Sequence, residues 1–214
     1  MTKQREILID LVDRYPVLKA CEESIWEAFM VIKESFATGK KLLVAGNGGS
    51  AADSEHIVGE LMKGFVKKRT LDNSMKEKLL AIDAKRAESL TRNLQQALPA
   101  IALTGHTALS TAYLNDVDGT LGFAQQVFGY GQEGDVFFGI TTSGNSENVV
   151  SAVVVAKAKG LTTIALTGRD GGKIKDMVDV AIVVPEPETY KIQELHLPIY
   201  HALCLMLEDY FFEC

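Results

Sequence analysis

Cysteine is scarce in this chain. Its 214 residues hold three, Cys21, Cys204 and Cys214, odd in number, scattered and without a Cys-x-x-Cys pair. Such a set excludes a disulfide framework and a zinc knuckle, and fits buried or free thiols in a reducing compartment. Long apolar runs are missing as well, since no stretch reaches the ~20 residues that a membrane-spanning helix needs. Positive charge is not in excess: 22 Lys and Arg stand against 28 Asp and Glu, for a net charge of −6. With no basic stripe there is no footprint for a nucleic acid. The opening residues, Met-Thr-Lys-Gln-Arg-Glu, are charged where a signal peptide has its apolar core. These absences lead us to expect a cytoplasmic protein with neither a membrane nor a nucleic-acid partner.

What is present suffices for a full core: 47% of the residues are apolar, enough for one domain over 1–214. A helical period runs through residues 4–38, with Ile7, Leu8, Leu11 and Val12 followed by Ile25, Trp26, Phe29, Ile32 and Phe36. Pro16 divides it into two helices, and Gly39 ends the second. Five short apolar runs read as strands: 40–45, 100–103, 135–140, 162–166 and 180–184, the last stopped by Pro185. An Ala- and Val-rich helix is expected over 143–159, and a final helix from about Thr189 to Phe212. Continuous apolar strands alternating with helices predict a parallel sheet covered on both faces, a three-layer α/β/α sandwich of doubly wound type with a helical N-terminal arm over 1–38. Residues 66–97 are charged and weakly helical, and read as a surface excursion.

Ligands in such sheets sit at the carboxyl ends of the strands. Two turns open there. Gly46-Asn47-Gly48-Gly49-Ser50 offers close backbone approach and free amides at a helix N-terminus, though it is neither a dinucleotide fingerprint nor a Walker loop. Thr141-Thr142-Ser143-Gly144-Asn145-Ser146 supplies four hydroxyls at the next strand-to-helix turn. Plain N-capping by Ser143 and Ser146 needs only one of them, so phosphate binding is the stronger reading. His56 and Glu60 follow the first turn at i, i+4 on one helix face. Gln193 and His201 lie about 80° apart around the final helix. Together the four could ligate a divalent metal, or Glu60 and His201 could move protons; a liganded imidazole is a poor free base, so both roles stay open. His106 and His196 lack a spaced partner and are expected to be peripheral or structural.

The segments AGNGGSAADSEH, GITTSGNSENV, ALTGRDGGKIKDMVDVAIVVP and IQELHLPIYHALC resemble the SIS (sugar isomerase) domain family, and more closely the sedoheptulose 7-phosphate isomerases within it. The resemblance covers about residue 20 to the C-terminus except part of the middle. It implies a flavodoxin-like SIS fold and an aldose–ketose isomerisation in heptose biosynthesis. Sedoheptulose 7-phosphate would become D-glycero-D-manno-heptose 7-phosphate through an enediolate. By the same resemblance Thr141, Thr142, Ser143 and Ser146 would hold the sugar phosphate, and Asn47, Gly48, Ser50, Asp116 and Gln193 would meet the sugar. His56, Glu60, Gln193 and His201 would ring a divalent ion, zinc in the family, with Glu60 and His201 also the proton-transfer pair. The family also implies a homotetramer. Some SIS relatives only bind, one of them a replication initiator; the pair Glu60 and His201 argues for catalysis. Two departures stand out: Tyr190 occupies the place of an expected aspartate, and the 66–97 segment is longer than usual.

Assembly is also expected from the sequence itself. The apolar residues Ile25, Trp26, Phe29 and Phe36, with Leu203, Leu205, Met206, Leu207, Tyr210, Phe211 and Phe212 of the last helix, exceed what a sheet already covered by helices needs. They predict a patch buried against another copy.

Overall fold

The computed structural model describes residues 1–212, so Cys214 lies outside the described residues. Five parallel strands form one sheet: β1 (Leu42–Gly46), β2 (Ala100–Ala102), β3 (Val136–Ile140), β4 (Thr162–Thr167) and β5 (Val180–Val183), in the order β2-β1-β3-β4-β5. The side-chain period of two splits each strand between two cores. Leu42, Val44, Val136, Phe138, Ile140 and Ile164 face one side, while Leu43, Ala45, Phe137 and Ala165 face the other. Helices cover both. On the first side lie α1 (Lys3–Arg14), α2 (Glu22–Ala37), α3 (Gly49–Met62) and α9 (Thr189–Phe211). On the second lie α7 (Gly122–Tyr130) and α8 (Glu147–Ala158). The three-layer architecture is the one expected.

The reversal of strand order falls between β1 and β3, so the loops after these two strands leave the sheet in opposite directions and open a crevice at its carboxyl edge. Register holds that edge in place: Ala45 pairs with Gly139 and Gly46 with Ile140. At the other end Asp135, fully buried, accepts the Lys41 backbone N–H at 3.0 Å and its ammonium at 2.6 Å, tying β1 to β3.

Several expectations need correction. The helix expected from Ser143 begins at Glu147, because Gly144 takes φ +66, a left-handed conformation no helix accommodates. The charged 66–97 segment needs no correction: it holds two short, largely exposed helices, α4 (Asn73–Ile82) and α5 (Ala84–Asn93), closed at the root by an antiparallel bridge between Thr70 and Gln95. The stretch after β2 folds as α6 (Thr107–Asp116) leading into α7, neither of which the apolar pattern announced. The apolar patch expected on the terminal helices is only partly left over: Trp26, Leu205, Phe211 and Phe212 are half-buried and Tyr210 is exposed. Ile25, Phe29, Phe36, Leu203, Met206 and Leu207 are all buried, because α1, α2 and α9 pack on one another over the sheet rather than each exposing a face. Among the described residues no helix is long and apolar enough to cross a membrane.

Candidate active site

A crevice of about 290 Å3 sits at the β1/β3 reversal, lined by Asn47, Gly48, Gly49, Ser50, Thr141, Thr142, Ser146 and Gln193, with Ile140 and Thr189. Two glycines shape it. Gly48 has φ +56 at the N-cap of α3, which turns the chain so that the first α3 amides face the crevice. At Gly49 a Cβ would stand 2.5 Å from Gln193 Nε2, so glycine leaves the Gln193 amide room in its present position. Asn47 is fixed by a reciprocal amide pair with Asn148 at the start of α8, 2.9 and 2.8 Å, which joins the two turns across the crevice.

The hydroxyl turn is arranged for a ligand rather than for the helix. Ser146 occupies the N-cap of α8 but makes no side-chain cap bond; its Oγ lies 2.9 Å from Thr141 Oγ1 instead. Ser143 is used locally, accepting the Asn145 N–H at 3.2 Å, and does not line the crevice. Hydroxyls, free amides and the positive end of α8 converge on one spot, the composition of an anion site that needs no arginine. Of the nine residues expected to meet the sugar and its phosphate, Asp116 is placed elsewhere. It ends α6, is exposed, and accepts the Asn115 side-chain amide at 2.7 Å.

Beside the crevice His56, Glu60 and His201 meet between α3 and α9. His56 Nε2 is 3.3 Å from Glu60 Oε1, and the His56 and His201 rings cross at a right angle with centroids 5.0 Å apart. Lys63 holds the other Glu60 oxygen at 2.8 Å. His201 Nε2 is buried without a hydrogen-bond partner. Burial, and the His56 ring beside it, lower the His201 pKa, opposed by Glu60, so the imidazole favours its neutral form. Gln193 stands apart from this trio on the crevice wall, eight residues before His201 in a helix that carries Pro198 between them. Two imidazoles, a carboxylate and an amide oxygen suit a divalent ion chemically, and the orphaned His201 nitrogen is a donor without an occupant. Among the described residues no three His, Cys, Asp or Glu side chains are gathered tightly enough to hold an ion as they stand.

Of the histidines set aside, His196 is fully buried, its Nε2 3.3 Å from the Thr167 carbonyl, and His106 caps α6. Four residues around the site had no signal of their own in the sequence. Tyr200 bridges His56 and Asp53, with its hydroxyl 3.0 Å from His56 Nδ1 and 3.2 Å from Asp53 Oδ1. Arg69 and Glu208 form a fully buried pair at 2.8 Å, in which the guanidinium also binds the Leu61 and Glu60 carbonyls at the end of α3. Glu208 in turn accepts the backbone N–H groups of Phe65, Val66 and Lys67. The loop after α3 is thereby pinned to α9, and the helix carrying Glu60 is fixed against the helix carrying His201.

Comparison with known proteins agrees with this geometry. Residues 79–168 match the SIS domain model. The phosphoheptose isomerase of Nitratiruptor sp. is 42% identical over 197 residues, covering 88% of this chain and 91% of that protein. The solved phosphoheptose isomerase of Neisseria gonorrhoeae superposes with TM-score 0.73 at 33% identity, over 97% of this chain and 100% of the other. That of Francisella tularensis does so with TM-score 0.73 at 31% identity, over 98% and 100%. With a crevice, a sheet order and a sequence all of one kind, the chain belongs to the phosphoheptose isomerase family of SIS-domain proteins.

Proposed function

We propose that this crevice interconverts sedoheptulose 7-phosphate and D-glycero-D-manno-heptose 7-phosphate, a step of heptose biosynthesis. The observation that carries the reading is a shared pair of helices: α3 and α9, whose first residues line the hydroxyl-rich crevice, also carry His56, Glu60 and His201. The phosphate rests against Thr141, Thr142 and Ser146 at the head of α8, with Ser143 shaping that turn. The sugar chain runs past Asn47, Gly48, Ser50 and Gln193 toward the histidines, and Asp116 takes part only where α6 of a second copy closes over the crevice.

Isomerisation removes the proton on the hydroxymethyl carbon next to the ketone, leaves an enediolate, and returns a proton to the former carbonyl carbon. One group must take the proton while another serves the oxygens, which asks for two groups on different walls. Glu60 on α3 and His201 on α9 are such a pair, and the unpartnered His201 nitrogen, kept neutral by burial, is free to accept. Where Glu60 and His201 instead join His56 and Gln193 in holding a divalent ion, zinc by family likeness, its Lewis acidity would stabilise the enediolate oxygens and the liganded imidazole would not serve as the base. We place the enzyme in the cytoplasm as a homotetramer.

The test is direct. Purified protein mixed with a panel of five- to seven-carbon ketose phosphates is followed by NMR, with and without added zinc. Conversion of the seven-carbon ketose to its aldose supports the proposal. Binding of sugar phosphate without any conversion would make the chain a binding protein and refute it.

A further inference from the structure

Tyr200 lies outside every role given so far, yet it is 1% exposed and stands between both site histidines. Its ring meets His56 edge-on at 5.5 Å and His201 at 5.0 Å. A tyrosine hydroxyl has one proton to give. Asp53, as a carboxylate, can only accept, and its Oδ1 is 3.2 Å from that hydroxyl. The proton therefore points to Asp53, and the Tyr200 oxygen is left to accept from the only other partner in reach, His56 Nδ1 at 3.0 Å.

We infer that Tyr200 and Asp53 are positioning residues that fix the neutral His56 ring as its Nδ1–H tautomer, turning the Nε2 lone pair into the cleft. The inference deepens the proposed site, since it assumes that His56 serves that cleft through Nε2. A hydrogen-bond network is the proper basis for such an assignment. The tautomer changes the meaning of a contact that a protonated Nε2 would make an ordinary ion pair. His56 Nε2 and Glu60 Oε1, 3.3 Å apart, are then two acceptors facing each other with no proton between them. The His201 ring stands across from that of His56 with centroids 5.0 Å apart and its Nε2 buried and unpartnered. The His56 Nε2 lone pair and the Glu60 carboxylate then make one electron-rich wall, although as they stand His56, Glu60 and His201 are not gathered tightly enough to hold an ion. A carboxylate or hydroxyl behind a ligating histidine commonly sets its orientation and basicity, and its removal costs about 10–100-fold in metal affinity.

The experiment reads the tautomer and the metal separately. Protein labelled with 15N-histidine, free of metal, gives long-range 1H–15N correlations for its four histidines, and a His56→Asn variant assigns His56. In the unaltered chain His56 should show a protonated Nδ1 and a bare Nε2. Tyr200→Phe should release the ring into a mixture of tautomers. Asp53→Asn offers the tyrosine a donor, lets its proton swing to Nδ1, and should convert His56 to the Nε2–H form, as amide replacement does in hydrolase triads. Calorimetric titration with Zn2+ alone should then show affinity about 10–100-fold weaker in Tyr200→Phe, with circular dichroism confirming the fold. A protonated Nε2 in the unaltered chain, or a tautomer indifferent to both substitutions, overturns the inference. The expected tautomers with no Zn2+ binding in the unaltered chain uphold it, and refute the metal part of the proposed site instead.

Discussion

Glu60 and His201 carry the heaviest chemical demand in the proposed reaction, so single-residue changes there discriminate best. Glu60→Gln and His201→Ala should each lower turnover by roughly 100-fold or more with the fold intact, measured as kcat beside a circular dichroism spectrum. Unchanged turnover in either removes that residue from the reaction. Thr141 and Ser146 should behave differently, because phosphate is gripped equally in ground and transition states. Ser146→Ala should raise KM several-fold and leave kcat near its starting value; a loss confined to kcat contradicts the anion-site assignment. His196 makes a prediction about pH. Burial lowers its pKa from 6.5 to about 4, opposed by the Thr167 carbonyl. The unfolded chain therefore takes up its proton first as pH falls. The stability that the neutral ring permits is fully present above pH 6.5 and is lost on the way down to about pH 4, by roughly 3 kcal/mol at most. Denaturation midpoints for His196→Asn should fall less steeply across that window than those of the parent, and activity at neutral pH should persist. An equal slope in the two proteins would assign the acid sensitivity to other groups.

At the scale of elements, α3 and α9 matter most, because they hold the two halves of the proposed proton-transfer pair. Their separation is set by the buried Arg69–Glu208 pair, which ties the last carbonyls of α3 to α9. Arg69→Met strands a carboxylate inside the protein and should cost about 3 kcal/mol or more, seen as a lower Tm. An unchanged Tm would show that water reaches Glu208 easily. Burial raises the Glu208 carboxyl, but three backbone N–H groups and Arg69 overcome this and hold it below its ordinary value. The elements differ in how far the sequence disclosed them. The strands were legible because a parallel sheet buries both faces, so β1 and β3 appear as unbroken apolar runs. The hydroxyl turn and the His56/Glu60 helix were legible from residue type and spacing alone. Helix α6 was not, since none of its residues is buried and no apolar stripe marks it. Nor were Tyr200, Arg69 and Glu208: their partners lie 139 to 147 residues away, and only the fold makes the pairing.

For the whole molecule, more than half of the apolar residues of the terminal helices are buried within one chain, so the proposed tetramer draws on other surfaces as well. Large apolar side chains remain exposed around α6 and α7, with Leu114 at 70%, Val117 at 64% and Phe128 at 63%. The same region carries Asp116, which one chain alone leaves away from the crevice. Light scattering at micromolar concentration should give the mass of four chains, and Phe128→Asp should shift it downward. A mass of one chain in the parent protein would refute both the tetramer and the role of Asp116.

The crevice draws on residues 47–50, 141–146 and 189–193, with His201 beyond them, so its walls come from chain segments made far apart in time. During synthesis β1 must wait some ninety residues for β3, its neighbour across the crevice. The wall carrying Gln193 and His201 arrives last of all, on α9. A chain that stops ahead of α9 holds all five strands and the hydroxyl turn but lacks Gln193 and His201, so under the proposed mechanism an incomplete product cannot act on the sugar.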